Sequence, residues 1–168
     1  MLLSLDIAFA NMGWAVFEKK QLLDFGVIRT EKTKIKLVRL SDDTEARASF
    51  LAKELNTIID KYAVEAIIGE LPSGSQNARA ANQLGIALGI VASLKTLWGV
   101  PCEWITPRQL KIAITGKANG TKKEIMSTIR GLYKEAKFPK DASHFEHIAD
   151  AISVYLTLKE DNLVKMYG

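Results

Sequence analysis

Short apolar runs broken by polar punctuation fill the first thirty residues. Residues 2–9, 13–18 and 22–29 each read as strands, with Lys19, Lys20 and Gln21 as a short polar connection, so the chain opens as an antiparallel meander. The period then lengthens. Leu51, Leu55, Ile58, Ile59 and Tyr62 recur at helical spacing within a long amphipathic helix from about 37 to 62. Val64, Ala66, Ile67, Ile68 and Gly69 form a further strand that ends in Glu70, before the turn-forming Leu71, Pro72, Ser73 and Gly74. A second helix follows over residues 77–98 and a strand over 102–105; Thr106 and Pro107 read as the N-cap and first-turn proline of a third helix. A loop from Gly116 to Gly120 leads to a helix over about 121–136, and a last helix begins near Ser143. Ser143 and Glu146 have capping-box spacing, which gives Glu146 a structural task and leaves Asp150 as the acid free for chemistry. This order predicts an α/β chain with a mixed sheet, antiparallel at its first pairings and parallel where helices cross over.

Two acids interrupt the pattern. Asp6 lies within the apolar run MLLSLDIAF and Glu70 at the carboxyl end of its strand. An isolated buried carboxylate costs several kcal/mol or more, so both need a cation or donors. His147 and Asp150 are three apart and share one face of the last helix. Oxygen ligands with one imidazole suit magnesium or manganese, so these four groups are the candidate metal ligands. His144, His147 and Asp150 also match the outline of a zinc triad, although His144 at the helix start is expected to be exposed.

The 168 residues are 48% hydrophobic and 25% charged, enough for one domain over 1–168 with a proper core. A net charge of +4 ranks an anionic partner first. Cys102 is the single cysteine; it excludes an internal disulfide and fits packing in a strand in a reducing compartment. The amino-terminal Leu2 and Leu3 with Ala8, Phe9 and Ala10 imitate a signal segment, but no basic residue precedes the run and Asp6 stands inside it. No stretch reaches about 18 uninterrupted apolar residues, so no membrane partner is expected and the cytoplasm is the expected location.

The Asp6 strand with Gly13, Trp14 and Ala15, then FGVIRTEKT, ELPSGSQNARAANQLGIALG, TPRQLKIAITGKANGTKKEI and HFEHIADAISVYL, form an ordered set of five segments. Together they resemble the RuvC family of Holliday junction resolvases, within the ribonuclease H-like superfamily. The resemblance implies a ribonuclease H-like fold with a five-stranded mixed sheet flanked by helices. It also implies a magnesium- or manganese-dependent homodimer with two ions per site, cutting four-way DNA junctions symmetrically to leave 5′-phosphate and 3′-hydroxyl ends.

Carried across by position, Asp6, Glu70 and Asp150 match the family's metal-binding carboxylates, and His147 falls where members carry an acid or a histidine. Lys111 and Lys122 match basic residues beside the scissile phosphate, so the implied catalytic set is Asp6, Glu70, His147, Asp150, Lys111 and Lys122. His147 fits either an ion ligand or the base that takes the water's proton. Lys117 and Lys123 flank the glycine-containing loop, and with Lys111, Lys122, Arg79 and Arg108 they are the candidate DNA contacts, binding phosphate without reading sequence.

Ile7 and Ala8 replace the family's usual proline and glycine, which suggests a divergent branch such as a phage or viral one, with a host-cytoplasmic location in that case. Pro72, Ser73, Gly74 and Ser75 stand where some members present an aromatic side chain, which weakens the expectation of sequence-selective cutting. Gly85 and Gly89 allow close helix approach, against the sheet or across a dimer axis. Competing readings are a ribonuclease H-like nuclease acting on RNA–DNA hybrid, branched DNA or structured RNA, an actin-like phosphotransferase, for which the chain is short, and a non-catalytic binding module.

Overall fold

The computed structural model describes residues 1–71, 74 and 77–167. Its strands are β1 (Leu2–Asp6), β2 (Asn11–Glu18), β3 (Gln21–Arg29), β4 (Ala66–Glu70) and β5 (Cys102–Ile105). They form one sheet in the order β3-β2-β1-β4-β5. β1 and β2 pair antiparallel, as do β2 and β3, whereas β4 runs parallel to both β1 and β5. The helices are α1 (Leu40–Lys61), α2 (Ala78–Trp98), α3 (Pro107–Thr115), α4 (Lys122–Leu132), α5 (Ala142–Leu158) and α6 (Asn162–Tyr167).

Strand alternation sorts the core into two layers. Leu2, Ala66 and Ile68 bury one face of the sheet under α5, together with Leu110 of α3 and Ile125 and Ile129 of α4. Leu3, Leu5 and Ile67 bury the other face under α1 and α2, where Leu51, Leu55, Ile58 and Ile59 form the stripe that the sequence period anticipates. Asp6 shares the parity of Leu2 and Ser4, and Glu70 that of Ala66 and Ile68, so both carboxylates belong to the α5 face. Ser4 ties β1 to that helix: its buried hydroxyl donates to the Ala151 carbonyl at 2.6 Å.

Several boundaries differ from the sequence expectation. β1 stops at Asp6 rather than Phe9, placing the acid at the strand's carboxyl end instead of inside it. α1 begins at Leu40, because Asp43 turns back to accept the Thr33 N–H and keeps the preceding segment out of the helix. α4 ends at Leu132, after which Tyr133 packs against the α5 layer. The proposed Ser143–Glu146 capping box does not form. Asp141, two residues earlier, caps α5 by accepting the His144 N–H at 2.7 Å, and this frees Glu146. Capping boxes do form at α3, between Thr106 and Gln109, and at α4, between Thr121 and Glu124. α6 was not anticipated. Pro72 and Ser73 of the expected turn, and Ser75 of the loop that lacks an aromatic side chain, fall outside the described residues.

α2 is only lightly covered. Ala87, Val91 and Leu94 are buried on the sheet, whereas a Cβ built at Gly85 or Gly89 would meet no atom within 4 Å. By length and composition alone this helix is apolar enough to cross a membrane.

Candidate active site

The two strand acids stand side by side. Asp6 and Glu70 are register partners across the parallel β1–β4 ladder, at the carboxyl ends of two neighbouring strands near the centre of the sheet. α5 supplies the other two groups. His147 Nδ1 lies 2.9 Å from Asp6 Oδ2, and Asp150 follows one helical turn later. With Asp6 as the acceptor, Nδ1 carries the ring proton and Nε2 remains available.

Gly13 makes this approach possible. It pairs with Asp6 in the β1–β2 ladder, and the His147 main chain packs directly against it. Any larger residue would push α5 away from the strand carrying its partner.

Asp6, Glu70, His147 and Asp150 line one cavity of about 300 Å³ with Lys111, Lys122 and Glu146. α3 contributes Lys111 and α4 contributes Lys122, each helix started by its own capping box at this end of the sheet. Among the described residues, no three acid, histidine or cysteine side chains converge as ligands around one point, so the four groups line the cavity rather than close on a single ion. The zinc outline through His144 does not form: His144 Nδ1 lies 3.6 Å from Asp141 and the residue is not among those lining the cavity.

The acids repel one another. Burial, then the Asp6 charge, pushes the Glu70 carboxyl up to about 7, against the pull of Lys111 and Lys122. Burial, then the charges of Asp6 and Glu70, pushes Asp150 up to about 8. His147 is raised mainly by its hydrogen bond to Asp6, which outweighs its burial. Carboxyls whose pKa values are raised by burial and by one another within one cavity mark a candidate functional site.

The basic candidates divide into three groups. Lys111 and Lys122 face the acids, but Lys122 is already ion-paired with Glu146. Lys117 lies 2.5 Å from Glu124, while Lys123 and Arg108 are exposed. Arg79, at the start of α2, lines a separate depression with Lys32, Lys34 and Lys36. Sequence reasoning missed Glu146 as a cavity residue. Lys122 and Glu146 lie on different helices, so no spacing rule could have joined them.

The family model described as crossover junction endodeoxyribonuclease RuvC matches residues 2–158 of this chain. The crossover junction endodeoxyribonuclease RuvC of Petrotoga mobilis is 28% identical over 155 residues, covering 90% of both chains. That of Christiangramia forsetii is 22% identical over 153 residues, covering 87% of this chain and 80% of the relative. Among solved structures, Thermus thermophilus RuvC in complex with Holliday junction substrate superposes with a TM-score of 0.72 at 21% identity, covering 93% of this chain and 90% of that one. The yeast mitochondrial Holliday junction resolvase Ydc2 gives 0.66 at 14% identity, covering 98% of this chain and 83% of that one. These superpositions establish a shared fold.

Proposed function

This chain belongs to the crossover junction endodeoxyribonuclease RuvC family, and we propose that its Asp6 cavity hydrolyses phosphodiesters in four-way DNA junctions. In this reading residues 1–168 form one nuclease domain, and a homodimer cuts two symmetry-related strands to leave 5′-phosphate and 3′-hydroxyl ends. The observation that carries it is the register pairing of Asp6 with Glu70, joined by His147 and Asp150 from α5.

Family membership implies dependence on a divalent metal. We infer magnesium or manganese, two ions per site, held by Asp6, Glu70 and Asp150, with His147 assigned to the water's proton rather than to an ion. The donor set fits: Glu70 and Asp150, raised by burial and then by the charges of neighbouring acids, offer hard carboxylate oxygens that a hard cation would relieve. Bound divalent cations supply an electrophilic phosphorus and a water of lowered pKa.

The chain's own groups do the rest. Glu70 and Asp150 surrender their protons to serve as ligands. Asp6 orients the His147 ring through Nδ1, leaving Nε2 to take the proton of the attacking water. Lys111 and Lys122 offset the negative charge of the scissile phosphate. Lys122 does so by exchanging its Glu146 partner for the phosphate. The open space at Gly85 and Gly89 favours the dimer axis over the sheet as the use of the small residues on α2.

The test is cleavage of a labelled four-way junction, its matched duplex and an RNA–DNA hybrid, each with and without magnesium or manganese. Ion-dependent cutting with a strong preference for the junction is expected. Equal or better cutting of the hybrid would overturn the assignment.

A further inference from the structure

The connection between β3 and α1 carries charge that the acid cavity does not use. Lys32, Lys34, Lys36 and Arg39 alternate there with Thr33, Ile35, Leu37 and Val38. All three lysines are exposed, and among the described residues none has an ion-pair or side-chain hydrogen-bond partner. Arg39 is paired with Asp42, and Glu31 is the neighbouring acid. The contrast with Lys117 and Lys122, both held by glutamates, is direct. Three uncompensated lysines within five residues are a large local share of a net charge of +4.

This segment is anchored rather than merely spanning a gap. Thr30 N–H donates to the Ala10 carbonyl at 2.9 Å, and the Thr33 N–H donates to Asp43 Oδ1 at 2.7 Å. Arg47 Nε donates to Thr30 Oγ1 at 3.0 Å, while its guanidinium lies over the Phe9 ring and 3.9 Å from Asp43 Oδ2. Asp43 and Arg47 are both buried. Asp43 holds the Thr33 backbone and Arg47 holds the Thr30 side chain, so this buried pair anchors the start of the segment that presents the lysines.

Topology places the segment beside the acids. β1 and β3 are both antiparallel to β2, so they run the same way, and Arg29 leaves the sheet at the end where Asp6 sits. Two strand spacings, about 10 Å, separate β1 from β3. The major groove of a duplex is about 12 Å wide, so a duplex with one phosphate at Asp6 has neighbouring phosphates within reach of this segment. Arg79 lines the same 320 Å³ depression as Lys32, Lys34 and Lys36. Lys111 and Lys122 belong to the α5 side of the sheet, whereas this segment enters α1 on the opposite side.

We propose that Lys32, Lys34 and Lys36, with Arg79, form a sequence-independent phosphate clamp for the duplex arm adjoining the scissile strand, positioned by the buried Asp43–Arg47 pair. This rests on the junction-nuclease reading. The clamp accounts for an exposed basic ridge at the catalytic end of the sheet and assigns it to affinity rather than chemistry.

The test is the triple variant Lys32→Gln, Lys34→Gln and Lys36→Gln, whose exposed side chains support no packing. Junction binding is titrated between about 50 and 200 mM salt for several junction sequences, and cleavage is followed in single turnover with the junction saturated. Each phosphate contact removed should flatten the slope of log affinity against log salt by about 0.9, giving a total near 2 to 3. Affinity should fall equally for all sequences, and cleavage of bound junction should stay within about twofold of wild type. Unchanged affinity and slope, with wild type still cutting junctions, would overturn the clamp alone. Lost cleavage at saturation without lost affinity would also overturn it, as would weakened binding to anionic vesicles with DNA affinity intact. A wild-type protein that neither binds nor cuts junctions would overturn the reading beneath it.

Discussion

The main chain of His147 rests directly on Gly13: a Cβ at that position would stand 2.5 Å from the His147 carbonyl carbon and closer still to its oxygen. Because Gly13 is the ladder partner of Asp6, this contact sets the distance between α5 and the strand acid. A glycine without any reacting group thereby sets the geometry of the proposed site.

Gly13→Ala should therefore lower both stability and activity. Overpacking a tight backbone contact typically costs about 1–3 kcal/mol. Thermal melts should register that loss, and single-turnover cleavage should fall by at least tenfold although every catalytic group remains. A variant with the melting temperature and cleavage rate of wild type would show that α5 is not positioned this way.

Asp150→Asn should abolish cleavage while making the metal-free protein more stable at neutral pH. The folded Asp150 holds its proton up to about pH 8, against an ordinary value of 3.8. Its contribution to stability is thus full below about pH 4 and is lost progressively as pH rises towards 8. Asparagine has no proton to lose. The variant should match wild type near pH 4 and exceed it by at least about 3 °C at pH 8, the shift expected from roughly 1 kcal/mol in a chain of this size. Saturating magnesium should remove that advantage by stabilising wild type. A variant less stable than wild type at pH 8 without metal would contradict the electrostatics of the cavity.

Glu146 and Lys122 should respond in opposite directions. Glu146→Gln removes a carboxylate from the cavity and releases Lys122 from its ion pair. Junction affinity should rise a few-fold, whereas Lys122→Gln should weaken binding and slow cleavage of bound junction. Equilibrium binding with both variants decides the matter; a fall in affinity for Glu146→Gln would mean that the pair acts as a unit.

Hydrophobic period and the positions of a few acids carried much of this architecture. Leu51, Leu55, Ile58 and Ile59 showed the α1 stripe, and Asp6 and Glu70 showed themselves by interrupting or ending apolar runs. Cap competition was less legible. Ser143 and Glu146 have the right spacing for a capping box, yet Asp141 also presents a side-chain oxygen to the first turn and takes the position. The cross-helix pairing of Lys122 with Glu146 and the anchoring of Thr33 by Asp43 depend on tertiary placement. No local pattern encodes them. The Gly85 and Gly89 pair was visible in sequence, but only the packing of α2 shows that neither glycine lies against the sheet.

Paired cutting by two identical sites is the central claim, and mixed dimers test it most directly. Wild-type protein with excess Asp6→Asn is added to a cruciform plasmid in magnesium, after subunit exchange, and linear and nicked products are followed. Wild type alone should give linear product, because both strands are cut within one binding event. The mixture should accumulate nicked circles. A chain that stays monomeric on the junction and gives the same product ratio with and without the excess of Asp6→Asn would contradict the account.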